Sequence, residues 1–196
     1  RKNSWKKTNF SVFVFNASFE NSDDILIKVN AEFKDLKKAE KLAIKFGKIV
    51  GQMPTFLKKE VKYLIIHKGN PSWAAGNGYA IIHTNTFIKE NKKFIEESMF
   101  HELVHASLDW QWGKKSIEED KWLKAISTDK YYISDYAWKY PNQEDLAETV
   151  LWWYASRCKV DRISKKNNDK VNKFLPNRFK YLDEQNYDTN PSKCKN

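Results

Sequence analysis

Residues 95–110 read I-E-E-S-M-F-H-E-L-V-H-A-S-L-D-W, and the fold turns on how this stretch is understood. It holds two of the four histidines, His101 and His105, with Glu102 between them. In a helix, residues four apart lie about 40° from each other around the axis, so both imidazoles converge on a point that one metal ion can occupy. Ile95, Met99, Leu103, Ala106 and Trp110 form an apolar stripe on the opposite face, suited to burial against a sheet. Glu102 lies about 100° round from His101, beside the metal position, where a general base for an activated water belongs. With this composition H-E-x-x-H arises by chance in on the order of half a percent of chains this long, so the pattern is moderately specific even alone.

Zinc held by two histidines needs a third protein ligand and one open position. The extended pattern H-E-x-x-H-x-x-G-x-x-H is excluded, because Leu108 stands where it needs Gly and Gln111 where it needs His. Asp109, one turn beyond His105, is a ligand, an acceptor for a ligand histidine or a solvated acid. It faces about 80° from His101, which favours the last two. A better third ligand lies in I-S-D-Y-A-W-K-Y-P-N-Q-E-D-L-A-E-T-V, residues 133–150. Pro141 and Asn142 open a helix there, with Glu144 and Glu148 four apart on one face and Leu146, Val150 and Trp153 nearer the other. One carboxylate can bind metal while the other accepts a hydrogen bond from a ligand histidine and fixes its tautomer.

Upstream the period is that of strands. Ser11–Phe15 and Ile25–Val29 are β-branched and aromatic runs separated by the turn-like Asn21-Ser22-Asp23-Asp24, and Val61–His67 and Tyr79–Thr84 are further strands. Apolar residues at 36, 39, 42, 43, 46, 49 and 50 predict an amphipathic helix closed by Gly51 and Pro54. Beyond residue 90 the pattern is helical at about 93–112, 117–126, 142–157 and, more weakly, 168–174. Strands first and helices afterwards give an α+β fold. With 196 residues and no repeat or linker, 1–196 reads as a single domain, with 1–10 and 176–196 as irregular arms.

No run of 18 apolar residues exists, so no membrane span is expected. The chain begins at Arg1 without Met or an apolar leader, which reads as a processed or trimmed form. Cys158 and Cys194 can pair if the protein is secreted, and Asn9-Phe10-Ser11 and Asn16-Ala17-Ser18 fit the N-glycosylation pattern. Secretion is the expected localisation. Net charge is +10, concentrated at 157–180, where nine Lys and Arg face two Asp. Such a run either attracts an anionic partner or is a solvated surface, and the absence of aromatic-interleaved nucleic-acid motifs favours the surface.

H-E-L-V-H followed some forty residues later by E-x-x-x-E resembles the gluzincin branch of zinc metallopeptidases. The Tyr136 to E-D-L-A-E segment is similar to that of anthrax lethal factor and the clostridial Pro-Pro endopeptidases. The resemblance spans roughly residues 95–155. It implies a zincin-like fold, with a mixed sheet whose edge strand lies above the active-site helix, and a monomeric zinc endopeptidase acting on peptide or protein substrates. It implies one Zn²⁺ per chain on His101, His105 and Glu144, with Glu148 supporting a histidine and Tyr136 bonding the oxyanion or substrate. Glu102 would be the general base. The gap from Tyr136 to Glu144 is one residue longer than in those relatives, so Tyr140 or Tyr132 could replace Tyr136, and Glu148 could replace Glu144. Tyr79, Ala80, Ile81, Ile82 and His83 are the expected substrate-pairing edge, preceded by W-A-A-G-N-G as a flexible lip. His83 and His67 read as plain strand residues, His83 with a possible substrate contact. The alternative is a catalytically silent zincin-fold protein that uses its basic surface to engage an anionic partner.

Overall fold

Ile25, Ile27 and Val29 are buried while Leu26, Lys28 and Asn30 between them are not, and this alternation fixes the face on which the core is built. The structure, a computed structural model, describes residues 9–86, 89–109, 111 and 117–194. Strands β1 (Val12–Ala17), β2 (Ile25–Asn30), β3 (Tyr63–His67), β4 (Ala74–Gly76) and β5 (Tyr79–His83) form one sheet in the order β1-β2-β3-β5-β4. The β2–β3 and β3–β5 pairs are parallel, and β1 and β4 run antiparallel at the two edges. The register aligns Ile27 with Leu64 and Val29 with Ile66, and Leu64 and Ile66 in turn with Ala80 and Ile82. The buried side chains therefore share one face.

Helices α1 (Leu36–Gly51), α2 (Thr55–Lys58), α3 (Lys92–Ser107), α4 (Glu119–Asp129), α5 (Asp135–Lys139), α6 (Asp145–Cys158), α7 (Lys165–Phe174) and α8 (Pro176–Asp183) complete the α+β fold. Asp35 caps α1 through the Lys38 amide and Asn91 caps α3 through the Phe94 amide. The apolar stripe expected on the metal helix is buried at Met99, Leu103 and Ala106 and packed at Ile95; Trp110 lies outside the described residues. No described helix is long and apolar enough to cross a membrane.

Two expectations are corrected here. Tyr79–His83 is not the sheet edge: β4 pairs with it through Ala74↔Ile81, Ala75↔Ala80 and Gly76↔Tyr79, and among the described residues the edge is Ala74-Ala75-Gly76. The reason is the Asn77-Gly78 pair, a two-residue hairpin turn in which Gly78 takes φ +74°. A Cβ at Gly78 would also meet the Glu60 carbonyl at 2.9 Å. The expected flexible lip is thus strand and turn.

Nor is the stretch from 176 irregular throughout: 176–183 is helical, and 184–194, without helix or strand, is packed on the fold. Pro176 sits in the first turn of α8, where its missing N–H costs nothing, and Phe179, Tyr181 and Leu182 are buried. Beyond α8, Tyr187 stacks on Phe56, the amides of Thr55 and Phe56 donate to the carbonyls of Asn190 and Asp188, and Cys158 is bonded to Cys194. Of the N-terminal arm, residues 1–8 lie outside the described residues, and Phe10 packs edge-on against His67.

Candidate metal centre

α3 and α6 cross antiparallel, as the pairs His105–Glu144, His101–Glu148 and Phe100–Tyr154 establish. This packing separates the roles of the two glutamates, which share a face and one helical turn. Glu144 is the residue that caps α6, and its carbonyl still accepts the first helical bond from Glu148. The helix thus begins at Asp145 rather than at Pro141 and Asn142.

Three atoms converge at the crossing. His101 Nε2 and His105 Nε2 are 3.2 Å apart, and each is 3.2 Å from Glu144 Oε2. On the far side of each ring stands another carboxylate, with Glu148 Oε1 3.3 Å from His101 Nδ1 and Asp109 Oδ2 3.3 Å from His105 Nδ1. Those carboxylates place the ring protons on Nδ1 and leave both Nε2 lone pairs facing Glu144. Three acceptors aimed at one point repel unless a cation lies between them. Tetrahedral zinc with bonds of about 2.0–2.1 Å spaces its ligands by about 3.3–3.4 Å. The 3.2 Å edges lie close to that spacing, so the residues present fit a zinc ion. Among the described residues this is the group of His, Cys, Asp and Glu that could hold a metal.

The surrounding charges agree. Burial opposes ionisation of Glu144, but the two histidines hold its carboxyl well below the usual range, and His101 does the same for Glu148. Burial disfavours the His105 cation, yet Asp109 and Glu144 push its pKa up to about 9. His101 is likewise raised, its bonds with Glu144 and Glu148 outweighing desolvation. In the metal-free chain, protons on the two histidines offset the Glu144 charge. Burial also pushes the Glu102 carboxyl above the ordinary Glu value, partly offset by the charges of His101 and His105.

No family model, curated protein or solved structure matches this chain. The residues must speak for themselves.

Of the expected site residues, His101, Glu102, His105, Glu144, Glu148 and Asp109 are brought together. Asp109 is only 3% exposed, which rules out the solvated reading. Tyr136, on α5, donates its hydroxyl to Glu144 and lies in the field of Glu102; desolvation and those carboxylates raise its pKa well above the ordinary Tyr value. Tyr140 packs edge-on against Tyr136 with ring centroids 5.4 Å apart, whereas Tyr132 lies against the Arg178 guanidinium. Tyr136 is therefore the tyrosine tied to the ligand carboxylate. His67 and His83 stack on each other, and strand alternation puts them on the sheet face opposite Leu64, Ile66, Ala80 and Ile82, away from the core helices.

Two contributors were not foreseen. Gln111, read only as a missing histidine, donates its backbone N–H to Asp109 and its side-chain amide to the Asn142 carbonyl. Gly78 donates to the Ala106 carbonyl, 3.0 Å away, and so docks the β4–β5 turn on the metal helix. Asn-Gly was the signal for the second; no local signal marks the first.

The basic stretch is less available than its charge implies. Arg157 pairs with Asp183, Arg162 with Glu96, Lys165 with Asp169 and Lys180 with Glu184, while Arg178 is fully buried. Five of the nine cations already have carboxylate partners within the chain.

Proposed function

We propose that this protein is a secreted zinc-dependent endopeptidase, with one Zn²⁺ held by His101, His105 and Glu144. The observation that carries the proposal is the 3.2 Å triangle, with a carboxylate behind each histidine. When bound there, zinc supplies the Lewis acidity that polarises a peptide carbonyl and brings the pKa of water towards neutrality.

The chain's own groups account for the rest. Glu102, beside the triangle and raised by burial, takes a proton from the attacking water and returns it to the leaving amine. Tyr136 stays protonated because its pKa is raised, so it acts as a donor, turning its O–H from Glu144 to the developing oxyanion. Asp109 and Glu148 hold the ligand rings in their metal-binding tautomer. The sheet edge at Ala74-Ala75-Gly76, beside α3 and exposed at Ala74, is suited to accept an extended peptide as an added strand. The Cys158–Cys194 bond supports an oxidising compartment.

A silent binding protein would have no use for Glu102 beside an intact triangle, and the internal pairing of the basic stretch weakens the case for an anionic partner. The test is cleavage of a peptide library by wild type and Glu102→Gln. Wild type should cleave and lose activity to a chelator. The variant should keep its zinc and lose about 10²–10⁴ in rate. A zinc-loaded wild type that cleaves nothing, or an equally active variant, would refute the mechanism.

A further inference from the structure

The segment between α4 and α6, residues 130–144, carries both Tyr136 and Glu144, yet its own regular structure is the five-residue α5. Such a connection does not by itself hold a carboxylate oxygen to the tolerance a metal site needs. The two ends of the segment meet on one side chain from elsewhere in the chain. Arg178, on α8, is 0% exposed. Its Nε donates to Asp129 Oδ2 at 2.9 Å, at the end of α4, and its Nη1 donates to Asp145 Oδ1, at the start of α6. Its Nη2 donates to the Tyr131 carbonyl, and the Tyr132 ring lies against the guanidinium. Asp129 is locked further by the amides of Asn177 and Arg178 and by the Asn177 side chain.

The arrangement is expensive for a fold. One cation and two carboxylates are fully buried, and Asp145 Oδ2 has no hydrogen-bond partner among the described residues. Apolar residues of similar volume commonly fill such a space at no loss of stability. What a planar fork provides instead is fixed geometry among three acceptors, which a lysine cannot reproduce.

We infer that Arg178 is a positioning residue for the metal centre: by clamping Asp129, the Tyr131 carbonyl and Asp145 it sets the place of Glu144, the residue next to Asp145. The inference rests on the reading of Glu144 as a metal ligand. Arg178 touches neither metal nor substrate and acts through the backbone of the segment it closes.

The test combines hydrogen exchange on metal-free protein with Zn²⁺ affinity measured by chelator competition, in wild type, Arg178→Lys, Glu144→Gln and the double variant. Arg178→Lys should speed exchange within 130–144 and weaken zinc by about 10–100-fold, as loss of a supporting partner does at other metal sites. In the Glu144→Gln background the same change should have little further effect on zinc, because the group it positions is already lost; a merely structural role would weaken both backgrounds alike. Should Arg178→Lys fail to fold, Asp129→Asn loosens the end of the clamp that does not adjoin Glu144 in sequence, and a loss of about three- to tenfold is expected. Unchanged exchange in 130–144 would overturn the clamp. Faster exchange with unchanged affinity would overturn its role at the metal. A wild type that binds no zinc is a different result: it removes the metal reading of Glu144, and the role assigned to Arg178 with it.

Discussion

The candidate metal centre is assembled from two regions of unlike construction. α3 supplies His101, Glu102 and His105 from consecutive turns of one capped helix, whose buried face fixes the orientation of the other. The 129–145 region supplies Glu144 and Tyr136 from a short helix and a helix start, and is held from outside by α8 and by Gln111. In the first region geometry follows from the period of the helix. In the second it follows from contacts between residues up to 49 positions apart. The two should therefore respond differently to substitution.

The largest effects are expected at the proposed ligands, where both regions must matter equally. His101→Ala and Glu144→Ala should each lower zinc affinity by more than the roughly hundredfold expected for an outer carboxylate. A Glu144→Ala protein that binds zinc as well as wild type would leave α3 as the whole site and remove the second region from it.

Next in size is the Cys158–Cys194 bond, which joins the end of α6 to the tail. Replacing both cysteines by serine should cost about 2–4 kcal/mol in denaturant unfolding. Zinc affinity should be unchanged, because Cys158 lies at the opposite end of α6 from Glu144. A loss of metal would show that the second region depends on the tail more widely than through Arg178.

Asp109→Asn and Glu148→Gln probe the ring orientation in each region, and each should weaken zinc about 10–100-fold. If Asp109→Asn had no effect, the order of α3 alone would be orienting His105.

The pH profile separates the occupied from the metal-free centre. In the metal-free protein His105 titrates at about 9, against about 6.5 when unfolded. A raised histidine stabilises fully below about pH 6.5 and loses that contribution as the pH climbs through about 9. Metal-free protein should therefore lose thermal stability across that window. Zinc-loaded protein should gain relative to it, since binding requires neutral imidazoles. Parallel curves for the two forms would contradict the ligand set. The smallest effect is expected at the exposed lysines: Lys166→Ala, Lys170→Ala and Lys173→Ala should each change stability by no more than about 0.5 kcal/mol. A clear loss of peptide cleavage in any of them would reopen a role for the basic surface.

How much of this was legible in the sequence follows the same division. Residues 95–107 announce themselves because ligand spacing, core stripe and cap all sit within one element. Strands β1, β2, β3 and β5 are legible because each is a local run rich in β-branched and aromatic residues. The edge strand is not legible, because Ala74-Ala75-Gly76 has little strand propensity and Asn77-Gly78 fits a loop as well as a hairpin turn. α8 is hard to see because Pro176 can either end regular structure or open a helix in its first turn, and the sequence alone does not choose. Glu144 and Glu148 could not be separated by spacing, which puts both on one face; only the antiparallel crossing of α3 and α6 assigns one to Nε2 and the other to Nδ1. Arg178 looked like one more cation in a lysine-rich run, and nothing local distinguishes the one that is buried.

Whether these two regions together hold one metal ion is decided by zinc analysis of the purified, folded protein. One equivalent per chain is expected in wild type and none in His101→Ala or Glu144→Ala. Folded wild-type protein with less than half an equivalent after zinc is supplied, or variants that retain it in full, would contradict that expectation.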